Sequence, residues 1–251
     1  MLRLLRVDGR ENDQLRDCTL TRRVNRYAEG SCLVSLGHTR VYCTASVDER
    51  QPHFLMNTDQ GWVTAEYGML PRATTERSSR EGGTRIGGRT HEIQRVIGRS
   101  LRTVTDLRKL GPRTVRLDCD VLQADGGTRT ASVVAAYVAL AEACSWLQGK
   151  KLIKTWPLLC EAAAISVGIV TGEVLLDLCY TEDSQALVDM NVVMTSHQEI
   201  IEVQGTGEGR PFTRQEHDRM IDMAWRGIQT LLAKQKAALA GVGPYPTATS
   251  Q

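Results

Sequence analysis

The chain has 251 residues, enough for one large domain or two fused modules, and its 41% hydrophobic and 24% charged content is ordinary for a soluble globular protein. No apolar run approaches the roughly 20 residues of a bilayer crossing, and Met1–Val7 is too short and arginine-rich for a signal peptide, so a cytoplasmic location is expected. A net charge of +2 by itself predicts no polyanionic partner.

In chain order, residues 31–36 and 39–47 form two strand-like runs about Gly37-His38, a hairpin signal. Gly61–Leu70 reads as a further strand. The stretch Pro71–Gly88 has no apolar period and is expected as a long mobile loop, of a length that usually carries function. From about Thr90 a helix follows, with Ile93, Val96, Ile97, Leu101 and Val104 as its apolar stripe and Arg95, Arg99 and Arg102 opposite. Along Arg113–Gln123, Val115, Leu117, Cys119 and Val121 alternate with Arg116, Asp118 and Asp120, the period of a half-buried strand. Ala131–Leu147 is an unbroken run of helix formers. Strand-like runs recur at 158–170, 173–180, 189–195 and 199–204. Thr213-Arg214-Gln215-Glu216 is a capping box opening a long helix through Leu232. Strands and helices group rather than alternate, which predicts an α+β fold. One domain over residues 1–240 is expected, with a flexible tail at 241–251.

Seven dispersed cysteines with no C-x-x-C pair predict buried, reduced thiols, and the five histidines are unclustered. Charge is distributed unevenly. Arg72–Lys109 carries a net +6 while the remainder carries −4, a footprint suited to nucleic acid, although a solvated helix face explains part of it.

Three constellations bear chemistry. Asp125-Gly126-Gly127-Thr128-Arg129-Thr130 sits where a strand turns into a helix, so free N–H groups, the helix dipole and a guanidinium make it a candidate anion seat. A plain strand–helix turn is the alternative; the spacing matches neither the P-loop nor GxGxxG. Gly87-Gly88-Arg89-Thr90 is a second glycine-rich helix entry, able to converge on the same phosphate. Asp183 and Asp189 flank the short loop Ser184–Val188, where they either shape the turn or share a cation and a proton. Asp177 lies nearby and is a possible assistant.

Five motifs in order carry a resemblance: Gly61–Arg72 (GWVTAEYGMLPR), Gly88–Arg95 (GRTHEIQR), Leu117–Thr130 (LDCDVLQADGGTRT), Asp189–Thr195 (DMNVVMT) and Glu202–Thr206 (EVQGT). Together they resemble the ribonuclease PH family, and its bacterial ribonucleases more than exosome ring subunits or polynucleotide phosphorylase. The match runs from about Gly9 to Leu232. The chain departs from the family pattern in an arginine loop one residue shorter and in Asn12 and Asp17 where proline is frequent.

The resemblance implies a ribonuclease PH-like fold and a phosphate-dependent 3′→5′ exoribonuclease that trims tRNA precursors and other structured RNAs. It releases nucleoside diphosphates and runs in reverse when they are in excess. By motif, Arg89, Gly127, Thr128 and Arg129 hold the phosphate. Asp183 and Asp189 bind magnesium and protonate the departing 3′-oxygen, and Arg72, Arg77 and Arg80 contact RNA. A homo-hexamer, built as a trimer of dimers, is implied as well. The alternative within the family is a non-catalytic RNA-binding subunit of an exosome-like ring.

Overall fold

The structure is a computed structural model describing residues 6–80 and 87–245. Two antiparallel-rich sheets clasp one central helix. The first contains β1 (Cys18–Arg22), β2 (Gly30–Leu36), β3 (Thr39–Asp48), β4 (Trp62–Met69) and, after helices α1 (Gly88–Thr103) and α2 (Leu107–Leu110), β5 (Thr114–Gln123). Its order is β1-β2-β3-β5-β4. Only β4 and β5 run parallel, and α1 supplies the crossover that a parallel pair requires. The expected hairpin at Gly37-His38 joins Leu36 to Thr39, with Gly37 at φ 55°. The alternation along β5 is as read, with Val115, Leu117, Cys119 and Val121 buried.

The central helix α3 (Thr128–Gly149) is buried without a break from Thr130 to Cys144. It packs on β2, β3 and β5 on one side and on β6 (Ala162–Val170) of the second sheet on the other. A helix apolar all round must be enclosed, and α3 is enclosed by protein. It is also long and apolar enough to cross a bilayer, contrary to the expectation that no such run exists, but most of it lies inside the core.

The second sheet continues with β7 (Glu173–Leu176), then helix α4 (Tyr180–Asp183), β8 (Val188–Thr195) and β9 (Ile200–Thr206), in the order β7-β6-β8-β9. Helix α5 (Arg214–Ala238) follows, opened by the expected box: Thr213 Oγ accepts from Glu216 N at 3.2 Å and Glu216 returns the bond at 2.8 Å. Buried Gln235 donates to Val134 O at 3.0 Å and Ala162 O at 3.1 Å, tying α5 to α3 and β6. One hydrophobic cluster runs through both sheets.

Several sequence expectations change. Arg102 is not on a solvated face: it donates to Val63 O at 2.8 Å and lies 4.3 Å over the Trp62 ring, so an aromatic neighbour draws it down. The tail does not loosen at Gly241, because Val242 is buried and the Tyr245 and Tyr137 hydroxyls meet at 2.7 Å. Residues 246–251, with Met1–Leu5 and the Glu81–Ile86 part of the arginine segment, lie outside the described residues. All seven cysteines are free, and burial lifts Cys18 to about 11 and Cys144 to about 12.

Helix α3 approaches β2 so closely that a Cβ on Gly30 would stand 1.9 Å from Ala139 O. Both partners are backbone, so something must shift and no flexible side chain can absorb it. Gly30→Ala is expected to cost about 3 kcal/mol of unfolding free energy by overpacking, read by urea denaturation.

Candidate active site at the seam of the two sheets

The strand β5 delivers the chain into the turn Asp125–Gly127 and directly into α3. Gly126 and Gly127 adopt φ 73° and 65°. A Cβ on Gly126 would meet Leu178 O at 2.5 Å, so only glycine fits. Gly127 is the N-cap and carries no side-chain cap, leaving the first N–H groups of α3 to serve another acceptor. The turn is held from several sides. Thr39 Oγ donates to Gly126 O at 2.6 Å and accepts from Asp125 N at 3.0 Å. Tyr180 N donates to Asp125 Oδ1 at 3.1 Å.

Thr128 Oγ meets the Tyr67 hydroxyl at 2.9 Å. Tyr67 was not singled out from sequence; its place in the GWVTAEYGMLPR motif, one β-period from buried Ala65, was the available signal. Arg129 donates to Gln204 Oε1, and Gln204 Nε2 donates to Glu92. A relay from β9 and α1 therefore orients the guanidinium. Arg89 stands in the first turn of α1, whose N-cap Gly87 also lacks a side-chain cap. Two helix starts thus each carry an arginine, and both guanidinium charges act on the Tyr67 hydroxyl.

The carboxylates complete the site. Asp183 ends α4, so the chain before the short loop is helical rather than extended as expected, because Glu182 accepts from Cys179 N at 3.2 Å and caps that turn. Burial raises the Asp183 pKa, and Arg89 opposes it. Asp189 lies on β8, where burial and then the Asp183 charge push it from 3.8 to about 6, against the pull of Arg129 and Arg89. Asp189 Oδ2 accepts from Asn191 Nδ2 at 3.4 Å, while buried Oδ1 has no hydrogen-bond partner. Arg89, Arg129, Asp183 and Asp189 therefore share one electrostatic site. Exposed Glu208, also unremarked in the sequence, raises both aspartates further.

Asp177 is not an assistant. It is fully buried and takes Arg16 Nη2 at 2.7 Å and Nε at 3.0 Å, with both side chains nearly inaccessible to solvent. Arg6 binds buried Glu182 at 2.7 and 2.5 Å in the same network.

The arginine loop is anchored beside the turn rather than loose along its described length. Ala124 N donates to Ala73 O at 2.8 Å, and Ser78 N to Pro71 O at 2.9 Å. Arg72, Arg77 and Arg80 are exposed; Arg72 donates to Thr75 O at 3.0 Å, and Arg80 draws down the otherwise raised pKa of Asp120. Among the described residues, no three His, Cys, Asp or Glu side chains cluster as metal ligands.

Between pH 3.8 and about 6 the folded protein retains an Asp189 proton that the unfolded chain has released. This group's stabilisation is therefore present at acid pH and lost as pH rises through about 6. Asp189→Asn stays neutral throughout. It should match the parent near pH 4 and exceed it at pH 7.5 by on the order of 2 kcal/mol in urea unfolding.

Residues 14–145 match domain 1 of the RNase PH, 3′ exoribonuclease family, and residues 160–227 match its domain 2. Similar solved structures include rice (Oryza sativa) Rrp46, at 21% identity over 94% of this chain and 100% of that one, TM-score 0.76. An Archaeoglobus fulgidus exosome with RNA bound to the active site is 24% identical over 92% of each chain, TM-score 0.78. An archaeal exosome core is 24% identical over 92% of this chain and 91% of that one, TM-score 0.74. These likenesses extend the α+β, ribonuclease PH-like fold across nearly the whole length, and the two domain matches establish that the chain belongs to the RNase PH family of 3′ exoribonucleases.

Proposed function

We propose that the protein is a phosphate-dependent 3′→5′ exoribonuclease of the bacterial ribonuclease PH kind, trimming the 3′ ends of tRNA precursors and other structured RNAs. The observation that carries this reading is that the charges of Arg89 and Arg129, from two separate helix starts, both bear on Asp183 and Asp189. A phosphate dianion attacking an RNA phosphodiester brings two anions together, so repulsion dominates the barrier. Guanidinium groups and N–H donors fixed in advance are the groups that offset it.

In this mechanism orthophosphate lies at the start of α3, taking N–H donors of the turn, the Thr128 hydroxyl and the two guanidinium groups. A phosphate oxygen forms a bond to the terminal phosphorus as the bond from phosphorus to the upstream 3′-oxygen breaks. The products are a nucleoside diphosphate and an RNA one residue shorter. The departing oxygen takes a proton, and Asp189, whose pKa is raised to about 6, is suited to supply it. Because a phosphoanhydride is retained, excess nucleoside diphosphate drives the reverse addition.

The aspartates fit magnesium. Asp189 Oδ1 is buried without a partner, and two raised carboxyl groups relax beside a cation. One or two carboxylates with substrate phosphates is a usual magnesium environment. An ion held by Asp183 and Asp189 would supply positive charge against the negative charge that develops in the reaction. To the exposed Arg72, Arg77 and Arg80 we assign contact with RNA. A homo-hexameric ring, a trimer of dimers, is the assembly we assign, supported by likeness to exosome cores.

The decisive experiment incubates a short 3′-tailed RNA and magnesium with the protein, with and without phosphate. Diphosphates appearing only with phosphate support the reading. Monophosphates without phosphate indicate hydrolysis, and no product in either case indicates a non-catalytic ring subunit. Arg129→Ala should lose about 2–4 kcal/mol of transition-state stabilisation, the scale of one lost oxyanion donor, read from kcat/KM for phosphate. Arg77→Ala should instead weaken RNA binding and reduce the salt slope by about one phosphate contact in a fluorescence-anisotropy titration.

A further inference from the structure

The phosphate turn and the acid Asp183 come from opposite halves of the chain, and a third segment joins them. Arg16, 5% exposed, precedes β1 in neither half's catalytic motif. Its backbone N and Nε donate to Asp177 Oδ2 at 2.9 and 3.0 Å, and its Nη2 donates to Asp177 Oδ1 at 2.7 Å. Its remaining Nη1 crosses to Asp125 O, at 2.5 Å. The guanidinium therefore grips the carboxylate of one half and the turn of the other.

The neighbourhood leaves this bridge little freedom. Arg16 Nη2 lies 3.1 Å, and Asp177 Oδ1 3.9 Å, from the point where a Cβ on Gly127 would stand, directly behind the N-cap of α3. Asp177 itself is held at φ 55°, outside the ordinary range for a non-glycine residue. Arg10 adds a second guanidinium at 3.5 Å. Six residues beyond Asp177 the chain reaches Asp183, through a turn whose Glu182 is clamped by Arg6. On the turn's other flank, fully buried Thr39 bonds both Asp125 N and Gly126 O through one hydroxyl.

We propose that Arg16, with Thr39, is a positioning residue for the reaction: it holds the back of the Asp125–Gly127 turn at a set distance from Asp183, so that a phosphate seated on α3 meets the acid pair in line. Neither side chain needs to touch substrate. Arg16 is spent on Asp177 and a carbonyl, so it acts on the site through geometry, beside a charge that also draws down the Asp183 carboxyl. A misplacement near 1 Å in such a site is enough to reduce turnover about a hundredfold. The inference rests on the phosphorolytic reading above.

The test uses full-length Arg16→Lys and Thr39→Val. Lysine keeps the charge yet cannot bond Asp177 twice and Asp125 at once. Valine keeps the shape of threonine and removes two bonds of the turn. Phosphate titrations of RNA shortening give KM and kcat, urea unfolding gives folded fraction, and fluorescence anisotropy without phosphate gives RNA affinity. Folded Arg16→Lys should lose about tenfold or more in kcat/KM for phosphate, with unchanged RNA affinity. Thr39→Val should lose a smaller factor.

Unchanged kcat/KM for phosphate in both variants, or losses that follow only the folded fraction, would overturn the proposal. If Arg16→Lys does not fold, Thr39→Val decides alone. A parent protein showing no phosphate dependence would defeat the functional reading instead, a result visible before either variant is assayed.

Discussion

The enclosure of α3 between two sheets is the constraint from which the site follows. Its run of small and branched apolar residues has no polar side, so both faces must be covered by strands. Once the helix is central, its first turn necessarily emerges at the seam between the sheets. That is where its unpaired N–H groups and positive dipole are available to an anion. Close approach to β2 at Gly30 and the bonds of Gln235 keep the helix from shifting along its axis.

Around this helix start, buried charge is arranged in two distinct ways. Arg6 and Arg16 meet Glu182 and Asp177 inside the protein and Arg10 takes Asp8, each charge matched at short distance. Such pairs do not need to add net stability, but breaking one leaves an uncompensated ion, so they enforce a single arrangement. At the open side the balance is deliberately incomplete. Asp189 remains partly desolvated, carries an unpartnered oxygen and sits beside a second carboxylate. Satisfied charge in the frame and unsatisfied charge in the cleft separate the structural from the reactive carboxylates.

That separation was only partly legible beforehand. The alternation of β5, the hairpin at Gly37, the capping box of α5 and the glycine turn are local patterns with local physical causes. They appear where the sequence indicates them. Asp177 shows the opposite case: an acid between strands reads like Asp183 or Asp189 until burial and three arginine contacts identify it as part of the frame. Arg102 likewise follows the polar face by helical period, yet turns to Trp62. Gln204, Glu92 and Tyr67 had no marker except membership in the matched motifs, since their roles arise from contacts spanning 112, 75 and 61 positions.

Sequence alone determined the types of the long elements, the α+β class, the two arginine-bearing helix starts and the family resemblance, because these depend on period, glycine placement and motif order within short windows. Tertiary structure decided which arginines face the acids, which aspartate titrates near 6 and which is locked away, and how the N-terminal segment joins the two halves. The physical reason is that desolvation and ion pairing depend on what is packed nearby in space, and no short-range pattern in the chain encodes that.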